Sequence, residues 1–176
     1  MHKSSNGGWV VADFFVQSYR ISGRVDVRQN RLADQLNDHT TAFIQLEDVY
    51  ISNIGRPAYI SASHSLSILR KHGISAAVVA AQEDGMPREH TYGSYAGTSL
   101  RKVFITIPSF EVRGDLYVAG RADLRTVLTT GTTEFILLFN GNMKSALDPD
   151  TMFTGGAILV NKGHIGSFSV EKEKEE

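Results

Sequence analysis

The chain has 176 residues, with 18 Lys and Arg set against 19 Asp and Glu for a net charge of −1, no cysteine and a hydrophobic fraction of 41%. A balance so close to neutral lacks the basic excess of a dedicated nucleic-acid binder, and the missing thiol removes disulfides, thiolate zinc sites and a cysteine nucleophile. The apolar fraction suffices for a core, while no run approaches the roughly 18 consecutive apolar residues of a membrane span.

The opening MHKSSNGGWVVADFFV has no apolar run long enough for a signal peptide and is interrupted by Asp13, so a cytoplasmic, bacterial-type protein is expected. SYRISGRVDV (18–27) alternates with period two and predicts a strand with Ile21, Val25 and Val27 on one face. Gly23 sits mid-strand, where glycine marks a bulge or bend. Leu32 and Leu36 are four apart and predict a short helix capped by Asn30. TTAFIQL (40–46) opens a second strand. SASHSLSILRKHG (61–73) reads as a helix, with Ser61 or Ser63 at its N-cap, Leu66 and Leu69 inward, Lys71 and His72 in the last turn and Gly73 beyond. AAVVA (76–80) is a strand, and EDGMPREHTYGSYAGTS (83–99), rich in Gly, Ser and Thr, reads as a linker.

The same order then begins again. SFEVRGDLYV (109–118) predicts a strand with Val112, Leu116 and Val118 on one face and Gly114 in the middle; Leu124 and Leu128 predict a short helix capped by Asp123; TTEFILL (132–138) opens the next strand. SALDPDTMFTGG (145–156) reads as a loop and AILVNKGHIGSFSV (157–170) as a hairpin turning at Asn161-Lys162-Gly163. The terminal EKEKEE is a solvated tail.

Laid over each other, residues 32–46 and 124–138 share seven identities in fifteen positions, and Gly23 falls on Gly114. The identities sit at apolar and glycine positions and the single offset change falls in a polar stretch, as two copies of one fold would leave them. AAVVA is matched with AILVN, which makes the serine-rich segment an extra helix of the first copy. The expected organisation is a first β-barrel module over 1–84 with a helical insert near 61–72, a linker over 85–99, a second module over 100–170 and a charged tail over 171–176.

The run GRVDV, RLADQLN, TTAFIQL and the later VNKGHI resembles a group of uncharacterised bacterial proteins with Sm-like small β-barrels. The resemblance implies an all-β fold of two tandem Sm-like barrels with short helices, and a tendency to assemble; it implies no activity and no catalytic residues.

The chemistry-bearing residues form no constellation. His64 and His72 are eight apart on the expected helix, not the four of a metal-binding pair, and the serines of SASHSLS lack the strand–turn–helix context of a nucleophile elbow. Asp148 and Asp150 flank Pro149 and read as turn residues, and TGG at 154–156 lacks the lysine of a phosphate loop. No catalytic residue, metal ligand or cofactor is therefore expected, and the protein is read as a non-enzyme. Charge is the informative asymmetry. Arg20, Arg24 and Arg28 line the outer face of the first strand, whereas Glu111 and Asp115 stand at related positions of the second copy. These five are the candidate interface or phosphate contacts: facing one another between chains they would give head-to-tail assembly. The expected function is a binding or scaffolding homo-oligomer whose partner is itself, with another protein as a further partner. RNA or single-stranded nucleic acid is the alternative.

Overall fold

The computed structural model describes residues 8–28, 30–87, 97–119 and 123–172. In chain order these form β1 (Trp9–Val16), β2 (Tyr19–Asp26), α1 (Leu32–Asn37), β3 (Phe43–Asn53), β4 (Ile60–Arg70), β5 (Ile74–Val79), α2 (Gln82–Gly85), β6 (Thr98–Ile107), β7 (Phe110–Ala119), α3 (Leu124–Thr129), β8 (Phe135–Ser145), β9 (Met152–Asn161) and β10 (Ser167–Val170). The strands make one ten-stranded sheet in the order β10-β6-β7-β8-β9-β5-β1-β2-β3-β4. Every pairing is antiparallel. The all-β class holds, but among the described residues the sheet ends at β10 and β4 and is not closed into barrels.

The alternation that predicted β2 and β7 is realised. Ile21 and Val25 are buried along β2, with Val27 buried just past its end, and Val112, Leu116 and Val118 are buried along β7. Both mid-strand glycines sit where the ladder slips: register shifts between Ser22 and Arg24 against β3, and between Arg113 and Asp115 against β8. The slip is taken up on the facing strand by Asp48 (φ 51°) and Asn140 (φ 48°), polar residues that tolerate the left-handed region. A Cβ at Gly23 would lie 3.1 Å from the Glu47 carbonyl oxygen, and one at Gly114 3.0 Å from the Leu138 Cβ, so close approach of the neighbouring strand calls for glycine at both positions.

Several expectations are corrected. Residues 60–70 are the strand β4, not a helical insert. Ser61, Ser63, Ser65 and Ser67 recur every second residue, a period-two pattern that the leucine spacing masked. AILVN and SFSV are not a hairpin. After β9 a 3-10 turn at Lys162–His164 carries the chain away, and β10 pairs with β6. AAVVA therefore corresponds to β10, and AILVN to the end of β4. The Gly155-Gly156 pair is inside β9 and not in a loop. Asp123 caps α3 by accepting from the Arg125 amide, as expected, but the N-cap of α1 is Arg31, whose amide donates to the Asp34 carboxylate at 2.9 Å, and Asn30 lies outside the cap. Strands β1 and β6 open the two halves ahead of the elements legible in sequence; β6 begins inside the stretch read as linker, most of which (88–96) lies outside the described residues.

The two halves hold their strands in one order: β5-β1-β2-β3-β4 and β10-β6-β7-β8-β9. Ala76 pairs with Phe15 and Ser167 with Thr106, each member standing 91 residues beyond its counterpart. The halves meet where β5 pairs with β9: Ala76 opposite Val160, Ala77 opposite Leu159, Val78 opposite Ile158 and Val79 opposite Ala157. This ladder is buried on both faces. Ala77, Val79, Ala157 and Leu159 join one core with Leu32, Leu36 and Phe135, while Ala76, Val78, Ile158 and Val160 join the other with Phe15 and Phe110.

Candidate functional site

The sequence-predicted arginines are engaged within the chain. Asp13 on β1 stands opposite Ser22 and receives both the Arg20 guanidinium (2.9 Å) and the Ser22 hydroxyl (2.5 Å). Arg20 also lies 5.1 Å from the centre of the Phe153 ring on β9. Arg24 pairs with Glu47 at 3.4 Å and Asp48 at 3.0 Å and stacks 4.4 Å over Trp9. Arg28 is within 3.8 Å of Asp26, and Asp115 within 3.5 Å of Lys102. Glu111 is half-buried on β7 opposite Thr106 and Lys144. The structure thus spreads the five residues over β2, its following turn and β7, with local partners for four of them, and brings no two of opposite sign together.

Among the described residues no group of three or more His, Cys, Asp or Glu converges on a point. His64 and His72 separate, one to β4 and one to a 3-10 turn. His164 donates from Nε2 to the His72 carbonyl at 2.8 Å and takes the Ser75 hydroxyl at Nδ1 at 2.9 Å. Both contacts tie the halves together. Asn37 does the same, its side-chain oxygen accepting from the Glu134 and Phe135 amides at 2.9 Å, and the Asn161 amide donates to the Ile74 carbonyl at 2.9 Å. Asp148 accepts from the Thr151 hydroxyl and the Asp150 amide, which hold its carboxyl below the ordinary aspartate value. It is a turn residue, as its flanking proline suggested.

The features left over for function are the sheet's two ends; sequence reasoning expected exposed edges but placed neither β4 nor β10 there. Comparing β4 with β9, its counterpart, shows how they differ. Ala157, Leu159 and Phe135 are at most 2% exposed, with β5 paired beside β9 and with α1 and α2 packed on β8 and β9. Their counterparts Leu66, Ile68 and Phe43 are 48%, 60% and 48% exposed. The helices differ in the same sense. Leu32, Ala33 and Leu36 of α1 are buried in the first core, which takes in Phe135, Ala157 and Leu159 of the other half, whereas α3 buries no residue. Beneath α3 lies an apolar cleft of about 370 Å³, reached by Val127, Phe135, Leu137, Leu159 and Lys162, the last with its ammonium pKa lowered by burial. β10 is four residues long, with Phe168 and Val170 half-buried on the second core and Ser167 and Ser169 exposed. The signal that would have found β4 was the serine alternation, with its apolar residues on the intervening positions.

Comparison with known protein families, with curated proteins and with solved structures gives no match. No helix among the described residues is long and apolar enough to cross a membrane.

Proposed function

We propose that this chain is a non-enzymatic binding and scaffolding protein that assembles with copies of itself, each half being one copy of a small Sm-like module. The observation that carries the reading is the apolar surface on the last two strands at one end of the sheet, where Phe43, Tyr50, Ile60, Leu66 and Ile68 are each about half exposed or more. Beside them runs a strand edge whose amides and carbonyls have no ladder partner among the described residues. An exposed edge with apolar flanks is a template for pairing with another strand. The identical strand order of the two halves and the paired glycine bulges support the reading of a duplicated module.

Nucleic-acid binding through the first half draws less support, because the arginines that would meet phosphate already face carboxylates. Light scattering over a dilution series tests the proposal. A mass of several chains that falls on dilution is expected, and a mass of 19.3 kDa at every concentration overturns it.

A further inference from the structure

We infer that the two open edges are complementary to each other, so that β10 of one chain adds to β4 of the next and reproduces between chains the junction that β5 and β9 make within one. The inference rests on the self-assembly reading and specifies the surface, polarity and register. The argument is an equivalence of position. β5 is to the first half what β10 is to the second, and β9 is to the second what β4 is to the first. The chain already contains one finished contact between those two kinds of strand. Its ends carry the members of a second, each without an outer partner among the described residues.

Transferring the inner register gives four outer pairs, matching the four of β5 and β9: Ser167 opposite Leu69, Phe168 opposite Ile68, Ser169 opposite Ser67 and Val170 opposite Leu66. Chemistry agrees with that register on the face of the second core. Phe168 and Val170 lean on the second core, and the incoming Ile68 and Leu66 would cover that core as Leu159 and Ala157 cover the first. On the opposite face Ser169 meets Ser67, and Ser167 meets the buried Leu69. A slip of one residue would set Val170 against Ser65 or Ser67 and Phe168 against Ser67 or Leu69, on the other face of β4. Phe43 of the incoming chain would stand by α3 as Phe135 stands by α1, which accounts for the exposed Phe43 and the unburied α3 together.

The outer junction is the weaker of the two. The inner one has polar ties from Asn37, Asn161, His164 and Ser75, and the corresponding outer positions hold Thr129, Arg70, Gly73 and Gly166. Beyond the ladder, a Cβ at Gly156 would lie 2.6 Å from the Ala80 carbonyl oxygen and 2.7 Å from the Gln82 amide, so glycine there lets the chain cross β9. Ser65 holds that position on β4, which ends the outer ladder at Val170. Association is therefore reversible, and it is heterologous, giving rings or filaments and not twofold dimers.

Cysteine pairs test the register in a chain that has no cysteine of its own. Directly opposed residues of an antiparallel ladder lie about 4.5–5.5 Å apart at Cα, within disulfide reach. Mild oxidation of the double variant Ser67→Cys/Ser169→Cys should give a reducible ladder of covalent multimers. Ser63→Cys/Ser169→Cys should give none, and a mixture of the two single variants should stop at dimers. Independently, Ile68→Asp should bring the mass down to 19.3 kDa, with circular dichroism unchanged because Ile68 is already exposed in the single chain. A multi-chain mass that survives Ile68→Asp with no Ser67–Ser169 cross-linking overturns this junction and leaves self-assembly standing. Disulfide dimers formed by Ser67→Cys alone would mean β4 pairs with β4, and would overturn it as well. A wild-type mass of one chain at all concentrations overturns both readings.

Discussion

Arg24 shows how a residue legible in sequence takes a different place in the fold. Its alternation with Arg20 suggested an outward charged stripe, but β2 is flanked by β1 and β3, and both neighbours supply acids: Asp13 for Arg20, Glu47 and Asp48 for Arg24. Half-exposed pairs of this kind are worth little individually. Arg24→Glu, which also gathers three carboxylates and loses the Trp9 stack, should cost about 1 kcal/mol and lower Tm by roughly 2–4 °C. The mass by light scattering should be unchanged. Lys71 carries a larger local consequence. It is buried beside the end of β4, with Nζ donating to the Asp38 carbonyl at 2.9 Å and the Thr41 hydroxyl at 2.7 Å. Burial lowers its pKa, with Asp38 and Glu134 opposing the shift. The unfolded chain then holds the proton more tightly than the folded one, so stability rises with pH between the folded value and the ordinary lysine value. Lys71→Met should flatten that rise in Tm, leaving the share due to Lys162, whose pKa burial also lowers. At neutral pH it should cost about 1–3 kcal/mol for the oxygens left unpaired.

At the scale of elements, what sequence made legible was what local pattern alone decides. β2, β7, the opening of β3 and β8, and the glycine bulges all follow from alternation and from backbone approach that a Cβ would block. β4 was hidden because an exposed edge strand does not show the apolar alternation of a half-buried one: only Leu69 is buried in it. The pairing of β10 was hidden for another reason. Residues 157–170 look like two adjacent apolar runs, but whether a turn folds a strand back or sends it to β6 is decided by the edge β6 offers more than fifty residues upstream. Gly156 gives the test at this scale. Gly156→Ala forces backbone from residues 80–82 to move and should cost about 1–3 kcal/mol. Ser65→Ala, at the equivalent place on β4, should change Tm by less than about 1 °C. Chemical denaturation of the two variants side by side measures the difference.

For the whole molecule, the candidate site was not legible because it is defined by what is missing. Leu66, Ile68 and Phe43 stand out only beside Ala157, Leu159 and Phe135, and that comparison needs the strand order of both halves. An association built on ladder bonds and apolar contact should respond to salt differently from one built on the arginine face. Raising ionic strength from about 0.05 to 0.5 M should hold or increase the mass by light scattering, since exposed ion pairs are screened over that range while apolar burial is not. A fall in mass would point back to charge.

The joining of two half-units in one polypeptide limits what such an assembly can become. The contact between β5 and β9 is made whenever the chain folds, at any concentration, so half-units enter only in pairs. Any closed ring then contains an even number of them, and if sheet curvature favours an odd number per turn, the outer contacts must absorb the mismatch or the ring stays open. That even count is written into the covalent connection before any second molecule arrives.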